Sequence, residues 1–373
     1  MNLSIQKEKL SRLLYLTNTI VERKNTMPVL GNVKLSAENG VLSVAATDLE
    51  VSLLGNTPAE VKSPGAITVS GRVLYEIVRE LPAEDVIIRL AKGQRLEIES
   101  GASKFKINGI SPEEFPSVMG ITLKKPVAVE AGKLCEMIDR TAYAVSLDET
   151  RYNITGVCVE MVDGVFAAKA ALRFVATDGH RLSFVDRPAD GLSVASSFII
   201  PRKGIHELRK LLDSEEGVTK VEIAEGFFTA ATDDVTIGIR LVDGQFPDYR
   251  QVIPSETKTT LEAARGEFLA AVKRVSLVTT DRSRSIRFGI VGNTLNVSSS
   301  SPEHGEASES FPVSKTGDDV SVGFSARYIV DLLGAMERSE TITARFNGEL
   351  GPGMFTGNGD EHYTCIVMPM RFE

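Results

Sequence analysis

Six one-sided helical stripes recur along this chain at nearly constant intervals, and no other feature restricts its fold as tightly. Stripes at i, i+3, i+4 and i+7 mark helices buried on one side. They occur in Leu10/Leu13/Leu14/Thr17, Leu74/Ile77/Val78/Leu81, Leu134/Met137/Ile138/Thr141, Ile205/Leu208/Arg209/Leu212, Phe268/Ala271/Val272/Val275 and Ile329/Leu332/Leu333/Met336. Their first residues are separated by 64, 60, 71, 63 and 61 positions. Such a period is expected of a repeated supersecondary unit. Between the stripes the sequence reads as short strands, for example 86–90, 95–99 and 104–110, the last with Phe105, Ile107 and Ile110 on one face. Asn39-Gly40, Asp163-Gly164 and Asp243-Gly244 are hairpin signals.

Two short motifs pair the units. Ala46-Thr47-Asp48 and Ala176-Thr177-Asp178 lie 130 residues apart, and Phe115-Pro116 and Phe246-Pro247 lie 131 apart. Met368-Pro369 takes the corresponding place near the C-terminus. The reading is an α+β chain of three similar domains, 1–125, 126–255 and 256–373, each with two helices on antiparallel sheets. Three unrelated α+β domains with accidental spacing are the alternative, disfavoured because two motifs recur in phase with the stripes.

Composition excludes several classes. No stretch approaches the ~18 apolar residues of a membrane span, and the opening MNLSIQKEKLSRLL lacks a signal-peptide core, so a cytoplasmic protein is expected. Cys135, Cys158 and Cys365 are scattered, which favours reduced thiols. His180, His206, His304 and His362 have no partners at metal-ligand spacing, so neither metal nor cofactor is expected. The net charge of −8 argues against nucleic-acid binding only if charge is spread evenly. It is not. The polar sides of the helical segments carry Lys7, Lys9, Arg12, Arg72, Arg79, Lys133, Arg140, Arg202, Lys203, Arg209, Lys210, Lys273, Arg274, Arg327 and Arg338, and Arg23, Lys24, Arg282 and Arg284 follow closely. Acids gather at Glu113-Glu114, 213–216 and 303–309. A curved layer with basic helices inside and acids outside suits a polyanion in its concavity. Solvated helix faces with routine i,i+4 pairs would give the same list.

Five segments resemble the bacterial DNA sliding clamp family, the beta subunits of DNA polymerase III. They are Pro28-Val29-Leu30-Gly31-Asn32, 176–182, 200–204, 242–250 and Met368-Pro369-Met370-Arg371, spread over all three domains in the family's order. The resemblance implies the DNA clamp fold: a head-to-tail homodimer whose six domains ring a central hole lined by helices. It implies a processivity factor with no catalytic activity, which encircles double-stranded DNA without sequence preference and slides on it. By similarity, Lys24, Arg72, Tyr152, Arg202 and Lys203 touch DNA. Phe105 and Ile107 meet Leu277 and Val278 of the other subunit. A hydrophobic groove would be formed by Ile154, Thr177, Gly179, His180, Arg181, Leu182, Pro247, Val252, Ile366, Met368, Pro369, Met370 and Arg371, with arginine at its rim. In the family this groove takes short clamp-binding motifs. The implied partners are the replicative polymerase alpha subunit, the clamp loader, repair and translesion polymerases, a mismatch repair protein and ligase.

The chain departs from the family pattern in four places. Tyr152 is followed by Asn153, Tyr249-Arg250 by Gln251, residues 167–171 look inserted, and Phe372-Glu373 extends the usual end. An enzyme is the rival class, because Asp178 and His180 resemble an acid–base pair. No third catalytic member sits at a motif spacing, and no G-x-x-x-x-G-K-[ST] loop is present to drive ring opening with ATP. A scaffold that never meets DNA is the second rival.

Overall fold

The computed structural model describes residues 1–373 except 22–26, 83–84, 167–168, 190, 193, 195, 214–216, 281–284 and 372–373. All six stripes are helical: α1 Lys7–Thr17, α2 Gly71–Glu80, α3 Ala131–Asp139, α4 Arg202–Leu212, α5 Arg265–Val275 and α6 Ala326–Ala335. Most stripe positions are buried; Ile77 and Arg209 are only half-buried, and Leu81, Thr141 and Met336 lie just past the ends of their helices. In α5, Phe268, Ala271 and Val272 are fully buried, each large side chain contributing about 1.5–3 kcal/mol. Ser70 caps α2 through the Val73 amide at 3.4 Å.

The chain divides into two compact units. The first comprises Met1–Cys135 with Lys203–Leu241 and is built on one 13-stranded antiparallel sheet. Its two halves join where Val235–Ile239 pairs with Val51–Gly55. The second comprises Glu136–Arg202 with Val242–Glu373. It has a nine-stranded sheet, joined where Arg181–Val185 pairs with Tyr363–Val367, and a separate four-stranded sheet. Strand alternation explains the cores: Asn32–Glu38 and Ser285–Val291 bury every second residue.

The hairpin signals fare unequally. Asn39 and Gly40, at φ 50° and 78°, turn Asn32–Glu38 into Val41–Thr47. Asp163-Gly164 is not a turn. The strand Gly156–Phe166 runs through it with a register break between Val162 and Phe166, and Gly164 takes φ 79° as in a bulge. Asp243-Gly244 is not a hairpin either. The strand has ended at Arg240, and Val242 bridges back to Ile199. Gly244 is instead a close approach, since a Cβ there would stand 2.9 Å from the Tyr152 ring.

Not every helix base is a solvent cation. Arg140, one residue past α3, is buried against Glu136 of that helix and against Asp360, which begins the strand Asp360–Val367. Glu207 of α4 is buried too, and accepts a 2.7 Å hydrogen bond from Thr19. Lys210 packs over the Tyr15 ring at 4.2 Å, and burial lowers its pKa.

Candidate functional site

The candidate site grows from one tight turn. Thr177 ends the strand Lys169–Thr177 and Arg181 begins Arg181–Pro188. The Thr177 hydroxyl accepts from the Gly179 amide at 3.0 Å. Asp178 Oδ1 accepts from the amides of His180 and Arg181 at 2.9 and 3.0 Å. Short polar side chains thus satisfy the turn's backbone donors. Gly179 sits at φ 89°, and a Cβ there would lie 2.5 Å from Arg151 Nη2. Arg151, in the 3-10 segment Glu149–Ile154, lies across the turn and donates to the Asp178 carbonyl at 3.0 Å.

Beside this turn lies a cleft of about 210 Å³. Leu182 and Ile366, paired across adjacent strands, are in its lining and belong to a core cluster with Val175, Phe184 and Tyr249. Ile154, Thr177, Gly179, His180 and Arg181 line the cleft from one part of the chain, and Pro247, Val252 and Met368 from others. Val252 and Met368 remain exposed. Arg151, Asp248 and Tyr249 complete the lining, though the groove named from the resemblance omits them. Residues 242–250 carried the signal: Asp248 caps the 3-10 turn Tyr249–Val252 through the Arg250 amide.

Three named residues do not line the cleft. Pro369, Met370 and Arg371 run past it, because the Met370 amide bonds the Gly323 carbonyl at 2.8 Å. Arg181 lines it, but its guanidinium does not act as a rim cation. It is 7% exposed, held by Asp178 at 3.0 Å, Asp331 at 2.7 Å and the Tyr143 carbonyl, with the Tyr328 ring 4.4 Å away.

Tyr249 is fixed from below. Its hydroxyl donates to Glu160 and accepts from Arg173 Nη1 at 3.0 Å, while Arg173 grips Asp186 with bonds of 2.6 and 2.7 Å. Burial raises the Tyr249 hydroxyl above the ordinary tyrosine range, reinforced by Glu160. Burial also pushes the Cys158 thiol up to about 12, so this buried cysteine is a packing residue, not a nucleophile. Asp178 and His180 form no acid–base pair. The Asp178 oxygens are spent on the turn amides and on Arg181. Among the described residues, no group of three His, Cys, Asp or Glu is placed to hold a metal, and no helix is long and apolar enough to cross a membrane.

The remaining named residues are dispersed. Lys24 lies outside the described residues, as do Arg23, Arg282, Arg284, Ala167, Ala168, 214–216 and Phe372-Glu373. Arg72 is exposed and paired with Glu76 at 2.7 Å. Arg202 is exposed, and Tyr152 is 59% exposed. Lys203 is pinned to the buried Asp48 carboxylate and to the Ile20 carbonyl at 3.3 Å. Phe105 and Leu277 are 38% and 79% exposed, and Ile107 and Val278 half-buried.

Residues 1–119, 128–248 and 250–371 match the family models of the N-terminal, central and C-terminal domains of the DNA polymerase III beta subunit. Over 374 residues the chain is 33% identical to the beta sliding clamp of Caulobacter vibrioides strain NA1000 / CB15N, with 100% of each chain covered. The solved Caulobacter crescentus pol III beta matches with a TM-score of 0.92 at 33% identity, again with 100% of each chain covered. A sliding clamp from Bartonella birtlesii, solved bound to griselimycin, matches at 0.93 and 31% identity, also over 100% of each chain. With an antiparallel three-domain clamp fold, six helices and family matches along nearly its whole length, the chain belongs to the beta subunits of DNA polymerase III, the bacterial sliding clamps that serve as its processivity factors.

Proposed function

We propose that two copies of this chain close head to tail into a ring around double-stranded DNA and dock partner proteins at the cleft beside Gly179. The observation that carries the ring is a pair of open sheet edges. Strand Ser103–Ile110 pairs with Arg95–Ser100 along one side, but on the other, among the described residues, only Gly109 and Ile110 meet a neighbouring strand. Strand Gly305–Pro312 ends its four-stranded sheet. Such edges aggregate unless covered. The first exposes Lys104, Lys106 and Phe105, and the second Glu306, with Leu277 exposed on the 3-10 turn Ser276–Val278. Opposite charges beside apolar side chains favour pairing the edge of one copy with that of its twin. A closed two-fold ring satisfies both edges at once.

The domains would run 1–125, 126–255 and 256–373, with duplex DNA held by Lys24, Arg72, Tyr152, Arg202 and Lys203. Contacts of this kind go to phosphates and permit sliding. The cleft supplies docking. Its apolar lining and exposed Met368 suit several short peptides, supporting a polymerase alpha subunit, clamp loader, repair and translesion polymerases, mismatch repair protein and ligase as partners. The protein would act without catalysis, in the cytoplasm. The test is to load the clamp onto nicked circular DNA with a clamp loader and then linearise it. Retention on the circle and rapid loss after cutting are expected; equal retention on both refutes the ring.

A further inference from the structure

We propose that the polar cleft adjoining the peptide cleft seats an acidic residue flanking the docked peptide; this rests on the docking reading of its neighbour. The cleft is about 550 Å³ and shares Arg151, His180 and Arg181 with the peptide cleft, so the two are separated by one wall. Three arginines line it whose charge no carboxylate within hydrogen-bond distance offsets. Arg151 is spent on a carbonyl, that of Asp178. Arg202 stands exposed at the start of α4. Arg327, in the first turn of α6, is 3.8 Å from Asp331, whose carboxylate is already held by Arg181 at 2.7 Å.

The acids nearby are occupied. Asp148 accepts from the Thr150 amide and hydroxyl at 3.0 and 2.7 Å. Asp178 is consumed by its turn and by Arg181. The lining nevertheless carries four arginines, Arg151, Arg181, Arg202 and Arg327, against the carboxylates of Asp148 and Asp178, with Asp331 beside Arg181 and Arg327; positive charge is in excess, and its complement is a carboxylate. Reach favours a peptide as the source. Arg151, His180 and Arg181 border both clefts, and an extended chain advances about 3.3 Å per residue, so residues flanking the docking motif are the nearest source. A phosphate of bound DNA offers the same charge, and the test separates the two.

The full-length protein is titrated with a fluorescent peptide of the Gln-x-x-Leu/Met-Phe/Leu type that the family resemblance implies, Gln-Leu-Ser-Leu-Phe, bearing an Asp-Asp pair at its N-terminus or at its C-terminus, or Asn-Asn pairs instead. One acidic peptide should bind about three- to fivefold tighter than its Asn counterpart at low salt, as a partly exposed charge pair allows. Arg327→Gln should erase that advantage. Arg327→Glu should invert it, with a Lys-Lys flank at the same end now preferred. Binding of the acidic and neutral peptides with equal affinity overturns the proposal, as does an advantage that survives both variants. An advantage unchanged by the variants while retention on circular DNA falls would assign the cleft to phosphate and likewise overturn it. If the core peptide fails to bind at all, the docking reading itself is wrong; if it binds without any acidic preference, only this inference is.

Discussion

Asp360→Asn should weaken the second unit more than any exposed substitution. Asp360 accepts from Arg187 at 2.6 and 3.3 Å and from Arg140, and Glu136 bonds the same arginines at 2.7 and 3.0 Å. The Arg140, Arg187 and Asp360 side chains are 8%, 15% and 17% exposed, so these two arginines and two acids balance each other largely out of water, with the exposed Arg338 at the edge 4.0 Å from Glu136. Removing one carboxylate leaves two guanidiniums facing one acid. Breaking a buried pair from one side costs about 3–5 kcal/mol; residual exposure places this case near 3. For a unit of this size that lowers Tm by roughly 6–12 °C. Urea unfolding at fixed protein concentration, needed because association stabilises, should show the loss. Arg187→Gln added to Asp360→Asn should recover part of it by restoring neutrality.

The same quartet fixes an acid response. Burial pushes the Glu136 pKa up, but Arg187 and Arg140 outweigh it, and the net shift is downward. A carboxylate held below its unfolded value contributes its stability fully above that value and loses it as pH falls through the folded one. Wild-type stability should therefore decline below about pH 4.5, the ordinary glutamate value. In Asp360→Asn, Glu136 alone faces both arginines, its pKa drops further, and its share of the acid loss moves to lower pH. A variant within about 1 kcal/mol of wild type, or an unchanged acid limb, would refute this account of the quartet.

Gly179→Ala forces a Cβ into φ 89° and against Arg151 Nη2 at 2.5 Å. It should cost about 1–2 kcal/mol in a thermal melt and weaken docking-peptide binding as Arg151 is displaced. Leu277→Asp alters a side chain that is exposed in the single chain. Its melting as a monomer should be unchanged while sedimentation shows dimer dissociation at least about tenfold stronger, as for a buried interface anchor; an unaltered dimer fraction would remove Leu277 from the contact.

The helices were legible because a 3.6-residue stripe is a local property: burial of one face follows from the spacing alone. What the pattern hides is which polar residues join the buried side. Arg140 reads as a solvent charge, yet it is buried with a carboxylate 220 residues away, and Glu207 of α4 is buried as well. Arg181 looked like a rim cation because the second of its two acids, Asp331, lies in α6, 150 residues on from the turn that supplies Asp178. Asp163-Gly164 carried a hairpin signal into a bulge, since the backbone needs positive φ in both settings. The cleft itself was readable only through resemblance. From the residues alone, Thr177–Arg181 is a tight turn, which it is; nothing local says that Tyr249, Ile366 and Met368 gather beside it.

The internal repeat also shows what closes the place equivalent to this cleft beside the first copy of the turn. The turn at Thr47-Asp48 repeats the backbone-amide bonds of the one at Thr177-Asp178. Thr47 accepts from the Leu49 amide at 3.0 Å, and Asp48 from the amides of Glu50 and Val51. Leu49 even takes φ 79°, close to that of Gly179, at a strain glycine avoids. Each turn leads into a strand that pairs with a distant one, and there the copies diverge. Leu182 faces Ile366 in one, Ser52 faces Gly238 in the other. The large pair gives an apolar floor. The small pair admits backbone: a Cβ on Gly238 would collide with the Gly120 carbonyl, the Met119 amide reaches Ser52 Oγ at 3.4 Å, and Thr229 bonds the Gly120 carbonyl at 2.8 Å. The chain's own 119–120 segment thus fills the place that stands empty beside Gly179. Two side-chain sizes at one register position decide whether a repeated turn borders a cleft or a packed seam.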